Sequence, residues 1–394
     1  MKIKVENLAR IRSAEIEIKP LTVFLGKNNT NKSYLSYVVY GVYRYMAEVL
    51  MEFLKGQDAR KLDKIGVKHP DLVRILQERI EKMFRSESFS SFKLDIEFSE
   101  EESEMINKII DNMLVIRKQE GNDKSLSMTL IRNFLELINT WVDVFYFPAS
   151  RTGFVLALDA LVIGVLRERY EGKYYEKLTE PVVDFIADFY RIKSQSEDLR
   201  GLSREKELLR KLSDMIDGEI WIDKNTKQLL CHPKGIRGQK KIEMHLVSSS
   251  IAELAPIYVF LANIEKLENH IFIIEEPEAH LHVENQIKIT ELIVSMVNSG
   301  AKVLITTHSD YIINALNICL GRYWVGDYEK ESLDPNKIAV YLFKEEGRHI
   351  KVLPIPIEEH EGISFENFYT ATDRLMEEEE RIRDLLKSKV KANV

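Results

Sequence analysis

Hydrophobic and polar positions alternate from the first residues of the chain. Ile3 and Val5 are separated by charges, Ile16 and Ile18 repeat the pattern, and residues 21–25 form an unbroken apolar run. Alternation marks a strand with one wet face, whereas a continuous run marks a strand buried on both faces. Three strands are therefore expected before residue 26. Tyr34 to Leu54 is rich in Tyr, Val, Met and Leu and free of proline, which predicts a long, well-buried helix. From 55 to 140 the pattern is charged and helical, with Pro70 at a helix start and Gly121-Asn122-Asp123 as a turn. Residues 142–147 are β-branched and aromatic and stop at Pro148-Ala149-Ser150-Arg151, the pattern of a strand feeding a polar loop.

Residues 154–217 return to helical spacing. Residues 219–223 and 228–231 flank Asn225 as a hairpin, and 242–246 read as a further strand. Regular alternation then sets in: helix 251–268, strand 271–274, helix 283–298 stopped at Ser299-Gly300, strand 303–306 and helix 310–320. Such alternation predicts an α/β fold whose parallel sheet is joined by crossover helices. Strands at 338–343 and 350–355 and a charged helix around 365–388 complete the chain. The helical stretches read as two insertions, dividing the chain into 1–55, an insertion 56–140, 141–153, an insertion 154–241, 242–355 and a tail 356–394.

Composition narrows the class of protein. The chain has 394 residues, 45% hydrophobic and 30% charged, which fits a soluble globular protein of two or three units at about 150 residues each. With 56 Lys and Arg against 63 Asp and Glu, the formal charge of −7 gives no bulk electrostatic case for nucleic acid or an anionic membrane. A local basic loop remains, at Lys234, Arg237, Lys240 and Lys241. Two distant cysteines, Cys231 and Cys319, exclude a disulfide framework and fit a reducing compartment. No apolar stretch is long enough for a signal or a membrane span, so the expected location is the cytoplasm.

Candidate chemistry gathers at loops after apolar strands. Gly26-Lys27-Asn28-Asn29-Thr30-Asn31-Lys32-Ser33 lies between a buried strand and a helix. There, successive backbone N–H groups and a helix N-terminus can wrap a phosphate, with Lys32 reaching the β and γ phosphates and Ser33 holding Mg²⁺. Asn31 stands where that pattern has glycine, and a polar turn capped by Thr30 or Asn31 is the plainer alternative. After residues 271–274 come Glu275-Glu276-Pro277-Glu278. Glu275 suits a hydrated metal and Glu276 a base for the attacking water, although glutamates near a helix start are favourable anyway. His308, in Thr306-Thr307-His308-Ser309-Asp310, is placed to sense a γ-phosphate or to serve only as a turn residue. His280 and His282 resemble a metal pair but lack a third ligand nearby. Ser248, Ser249 and Ser250 open a helix, either as ordinary caps or as an anion site for the nucleotide of another subunit.

In this order the motifs resemble an ABC-type ATPase head of the SMC, RecF and OLD-like kind, a P-loop NTPase head interrupted by two mainly helical insertions. Lys2 to Ala9 resembles the opening of such heads, residues 248–254 a degenerate signature motif, residues 275–282 a Walker B and D-loop, and His308 the switch histidine. The loop 148–153 falls where such heads carry the Q-loop, with Arg151 in place of a glutamine. The resemblance implies ATP and Mg²⁺ as cofactors, with Ser33 and Glu275 at the metal and Glu276 and His308 catalytic. It places Gly26 to Ser33, Tyr34, Arg151, Ser248, Ser249 and Ser250 at the nucleotide. It further implies a homodimer closed over ATP, acting in DNA maintenance or anti-phage defence with a separately encoded effector, or an ATP-locked scaffold that hydrolyses little. No room remains for the Toprim nuclease domain of full OLD proteins.

Overall fold

The computed structural model describes residues 1–56, 70–84, 92–100, 102–104, 106–108, 143–158, 161–162, 178–195, 206–235, 241–364 and 376–383. Among the described residues nine strands make one sheet. An antiparallel lobe holds β1 (Lys2–Leu8), β2 (Ile11–Glu17) and β4 (Lys93–Glu97), with β1 in the middle. Alternation carries buried residues such as Ile3 and Val5 of β1 and Ala14 and Ile16 of β2 to the core.

The other lobe is a parallel set in the order β11 (Ile338–Glu346), β3 (Leu21–Gly26), β10 (Lys302–Thr307), β9 (His270–Glu275) and β5 (Asp143–Phe147). β12 (His349–Ile355) returns antiparallel beside β11 and touches β2 through the single pair Ile350 and Ile11, joining the lobes. β3 and β9 are the continuous apolar runs, and both sit inside the sheet.

Helices cover the parallel set. α1 (Lys32–Gly56) follows β3, and α2 (Pro70–Met83) packs on it closely enough that a Cβ at Gly41 would lie 2.7 Å from Ile80. α3 (Glu180–Gln195) ties to α1 through the Tyr40 hydroxyl, which donates to Asp184 at 2.6 Å. α4 (Lys206–Ile216) leads to a separate three-stranded sheet of β6 (Gly218–Ile222), β7 (Leu229–Pro233) and β8 (Ile242–Glu243). α5 (Ser249–Asn263) is buried from Ala252 to Ala262, and Pro256 stands inside it. An all-round apolar helix belongs in a core. Phe145, Phe147, Phe185 and Phe260 stack where β5, α3 and α5 meet. α6 (Val283–Asn298) and α7 (Asp310–Val325) are the crossovers after β9 and β10.

Three expectations change. Residues 93–97, expected within a helical insertion, form β4 and extend the main sheet. The strand expected at 242–246 is only the pair Ile242–Glu243, bonded to β7 rather than to the main sheet, and Met244–Leu246 is a 3₁₀ turn. The helix expected at 251–268 ends at Asn263. The turn at 121–123 lies outside the described residues, as does most of the helix expected at 365–388, of which 376–383 is helical.

Candidate nucleotide site

Four neighbouring parallel strands, β3, β10, β9 and β5, end at nearly one level, because Leu25 pairs with Thr307, Thr306 with Glu275, and Ile274 with Phe147. Ligands of α/β sheets bind beyond such carboxyl ends. A cleft of about 360 Å³ opens there, lined by residues 28–34, Ala149, Glu275, Glu276 and Thr306.

The loop from β3 to α1 is built on left-handed backbone. Gly26 has φ +156°, and a Cβ on it would sit 2.7 Å from the Phe343 carbonyl of the next strand, so only glycine fits. Asn29 and Asn31 have φ of 62° and 64°, a region that asparagine tolerates better than other side chains. Thr30, buried, closes the loop by donating to the Lys27 carbonyl at 2.7 Å. The Lys32 ammonium points back into the loop and donates to the carbonyls of Gly26 (2.6 Å) and Lys27 (2.8 Å). Burial pushes its pKa down, against the pull of Glu276, Glu278 and Glu275.

Across the cleft, Glu275 is 5% exposed. Burial raises its pKa, and the nearby Ser33 and Tyr146 hydroxyls and the Ala149 amide act against that rise. Its Oε1 is buried without a hydrogen-bond partner. A buried, unsatisfied carboxylate oxygen beside a serine hydroxyl fits a hydrated divalent cation that takes its remaining ligands from phosphates and water. Among the described residues no group of three or more His, Cys, Asp or Glu is arranged as a metal cage.

Glu276 has a left-handed backbone, φ 43°, held by its N–H, which donates to the Thr306 carbonyl at 2.8 Å. Strain of this kind persists where surrounding structure fixes it. The Glu276 side chain is part-exposed, and its Oε1 lies 3.8 Å from His308 Nδ1. His308 thus faces Glu276 from the end of β10.

Arg151 does not line this cleft. Its guanidinium is fully buried under the ends of β5 and β9. It donates to the carbonyls of Pro148 (3.0 Å), Glu275 (2.7 Å) and Glu276 (3.2 Å), and pairs with Glu253 of α5 at 2.9 Å. Burial lowers its pKa, opposed by Glu253, Glu278, Glu275 and Glu276. An arginine after a strand looks the same in sequence whether it turns outward or inward. Glu253, the partner that turns it inward, carried no signal of its own.

The serine cluster lies away from this cleft. Ser248 caps α5 by accepting from the Ile251 N–H, and Ser250 donates to the His280 carbonyl at 2.6 Å. Ser248 and Ser249 are exposed. In the basic loop, Lys234 pairs with Asp214 at 2.6 Å and Lys241 lies over the Trp221 ring, while Arg237 and Lys240 fall outside the described residues.

No helix among the described residues is long and apolar enough to cross a membrane. Residues 171–313, which contain α5, β9 and β10, match the family model of the AAA ATPase domain. No curated protein is detectably similar in sequence. Solved structures similar to the chain include the SMC head domain from Thermotoga maritima, with 10% identity, TM-score 0.37, and 90% of this chain and 98% of that one covered. Another is the Smc head domain with an extended coiled coil bound to the C-terminal domain of ScpA from Pyrococcus furiosus, at 11% identity, TM-score 0.35 and coverage of 97% and 98%. A third, cbiO1 from Clostridium perfringens, part of the ABC transporter complex cbiONQ, has 15% identity, TM-score 0.31 and coverage of 97% and 93%. The match to the AAA ATPase domain thus covers residues 171–313, and residues 28–34, Glu275, Glu276 and Thr306 line one cleft at the edge of the sheet.

Proposed function

We propose that the chain binds ATP with Mg²⁺ and hydrolyses it, and that two chains closed over nucleotide act as a switch in DNA maintenance or anti-phage defence. The observation that carries this reading is one cleft lined by the phosphate loop with Lys32 and Ser33 on one side and Glu275 and Glu276 on the other. The loop N–H groups and the α1 N-terminus receive the phosphates, and Lys32 exchanges its two carbonyl partners for the β and γ oxygens. Mg²⁺ at Ser33 and Glu275 would neutralise phosphate charge and orient the triphosphate. Glu276 accepts the proton of the attacking water, and His308 hydrogen-bonds the γ-phosphate.

The exposed Ser248 and Ser249 suit a partner's nucleotide better than their own chain's. A separately encoded effector and a cytoplasmic setting belong to the same proposal. DNA gains no support from the basic loop, where Lys234 and Lys241 already have partners. An ATP-locked scaffold is the second reading, favoured by Asn31, whose side chain stands at the closest approach of loop and phosphate. Steady-state phosphate release separates the two readings. For the site itself, Lys32→Ala is expected to weaken ATP binding at least about tenfold, measured by titration with a fluorescent ATP analogue. Unchanged affinity would remove the assignment.

A further inference from the structure

The turn after β9 carries a third carboxylate that the proposed reaction does not use. Glu278 is 5% exposed, and its Oε2 is buried without a partner. Its Oε1 is fully engaged with the segment that ends β10. It accepts from the Thr307 hydroxyl at 2.6 Å and from the His308 N–H at 2.9 Å. The His308 Nδ1 lies 3.5 Å from the same oxygen, closer than the 3.8 Å to Glu276. Thr307 passes the link on, because its Oγ1 accepts the Ser309 N–H at 3.0 Å, and Ser309 caps α7 and donates to Gln286 of α6 at 2.7 Å. A buried carboxylate is costly unless its oxygens are used, and the hydrogen bonds of Oε1 all come from the segment that ends β10.

We propose that Glu278 is a positioning residue for the γ-phosphate switch. It fixes the main chain of His308 and faces one ring nitrogen, so that the other nitrogen is presented to the cleft. The inference rests on the assignment of His308 to the γ-phosphate. It makes nucleotide discrimination a property of a residue that touches no nucleotide.

The test is equilibrium titration of the full chain with Mg²⁺ and either ADP or the β,γ-imido analogue of ATP, which removes hydrolysis from the readout. The parent is expected to prefer the triphosphate. Glu278→Gln keeps size and one acceptor but loses the charge, and should reduce that preference about fivefold while leaving ADP affinity in place. His308→Ala should cost a similar factor, and the double variant no more than either single one, because both act through one imidazole. Thr307→Val should reproduce the loss from the other end of the hydrogen bond, and Thr307→Ser, which keeps the hydroxyl, should restore the preference even if Glu278→Gln folds poorly. A preserved preference in Glu278→Gln, losses that multiply in the double variant, or a parent that binds both nucleotides equally would each overturn the proposal while leaving the ATP site standing. A parent that binds neither nucleotide would overturn the ATP site, and this inference with it.

Discussion

Asn31 sits with φ 64° immediately before Lys32. Glycine reaches that backbone without a Cβ, and asparagine reaches it at modest cost, so the loop keeps its shape while gaining a side chain beside the phosphates. The Asn31 Oδ1 is buried and has no partner. Asn31→Gly is therefore expected to keep nucleotide affinity within about twofold and to raise turnover. A phosphate-release assay beside the fluorescent titration checks both halves. A collapse of turnover would instead give the amide a direct part in the reaction. At this scale the sequence put Lys32, Ser33, Glu275 and Glu276 in loops after apolar strands, and the fold brings those four to one cleft. Arg151 and Glu278 were not legible in this way. Both are polar residues near strand ends, and only the fold decides that one turns inward to main-chain carbonyls and the other to the switch.

The helix that begins at the phosphate loop is fastened along its length. Arg79 of α2 donates to both oxygens of Glu180 at the start of α3, at 2.9 and 3.3 Å, and its guanidinium lies 4.0 Å from the Tyr45 ring of α1. The pair is part-exposed, so solvent screens it, but the bidentate geometry and the aromatic face add to it. Arg79→Met should lower unfolding stability by about 1 kcal/mol, seen as a shifted denaturation midpoint, and leave ATP titration unchanged. A matching loss of ATP affinity would mean that the α1 to α3 contact shapes the loop itself. Elements with a strong period were legible: β3 and β9 as continuous runs, β1 and β2 as alternation, and the hairpin around Asn225. Lys93–Glu97 was not, because five alternating residues inside a charged helical context carry too little pattern, and pairing with β1 supplies the rest.

For the whole molecule, the sheet collects residues 28–34, Glu275, Glu276 and Thr306 at one edge, while the serine start of α5 is not part of that cleft. Its N-terminus is capped by Ser248 and carries the positive end of the helix dipole, with Ser248 and Ser249 exposed. In the proposed pair each chain would hold nucleotide in its own cleft and offer the start of α5 to its partner's, a closed symmetric exchange. Under that proposal bound ATP would link the partners by mass action, and its hydrolysis would remove the link. Glu276→Gln keeps size and hydrogen bonding yet accepts no proton from water, so the ATP-bound state should accumulate. This variant is expected to shift from monomer to dimer with Mg-ATP, and Ser249→Arg, which fills the space of the opposing γ-phosphate, to abolish that shift. Light scattering on both, with and without nucleotide, reads the result directly. Association that ignores ATP in every variant would remove the paired-head mechanism and leave only a nucleotide site within one chain.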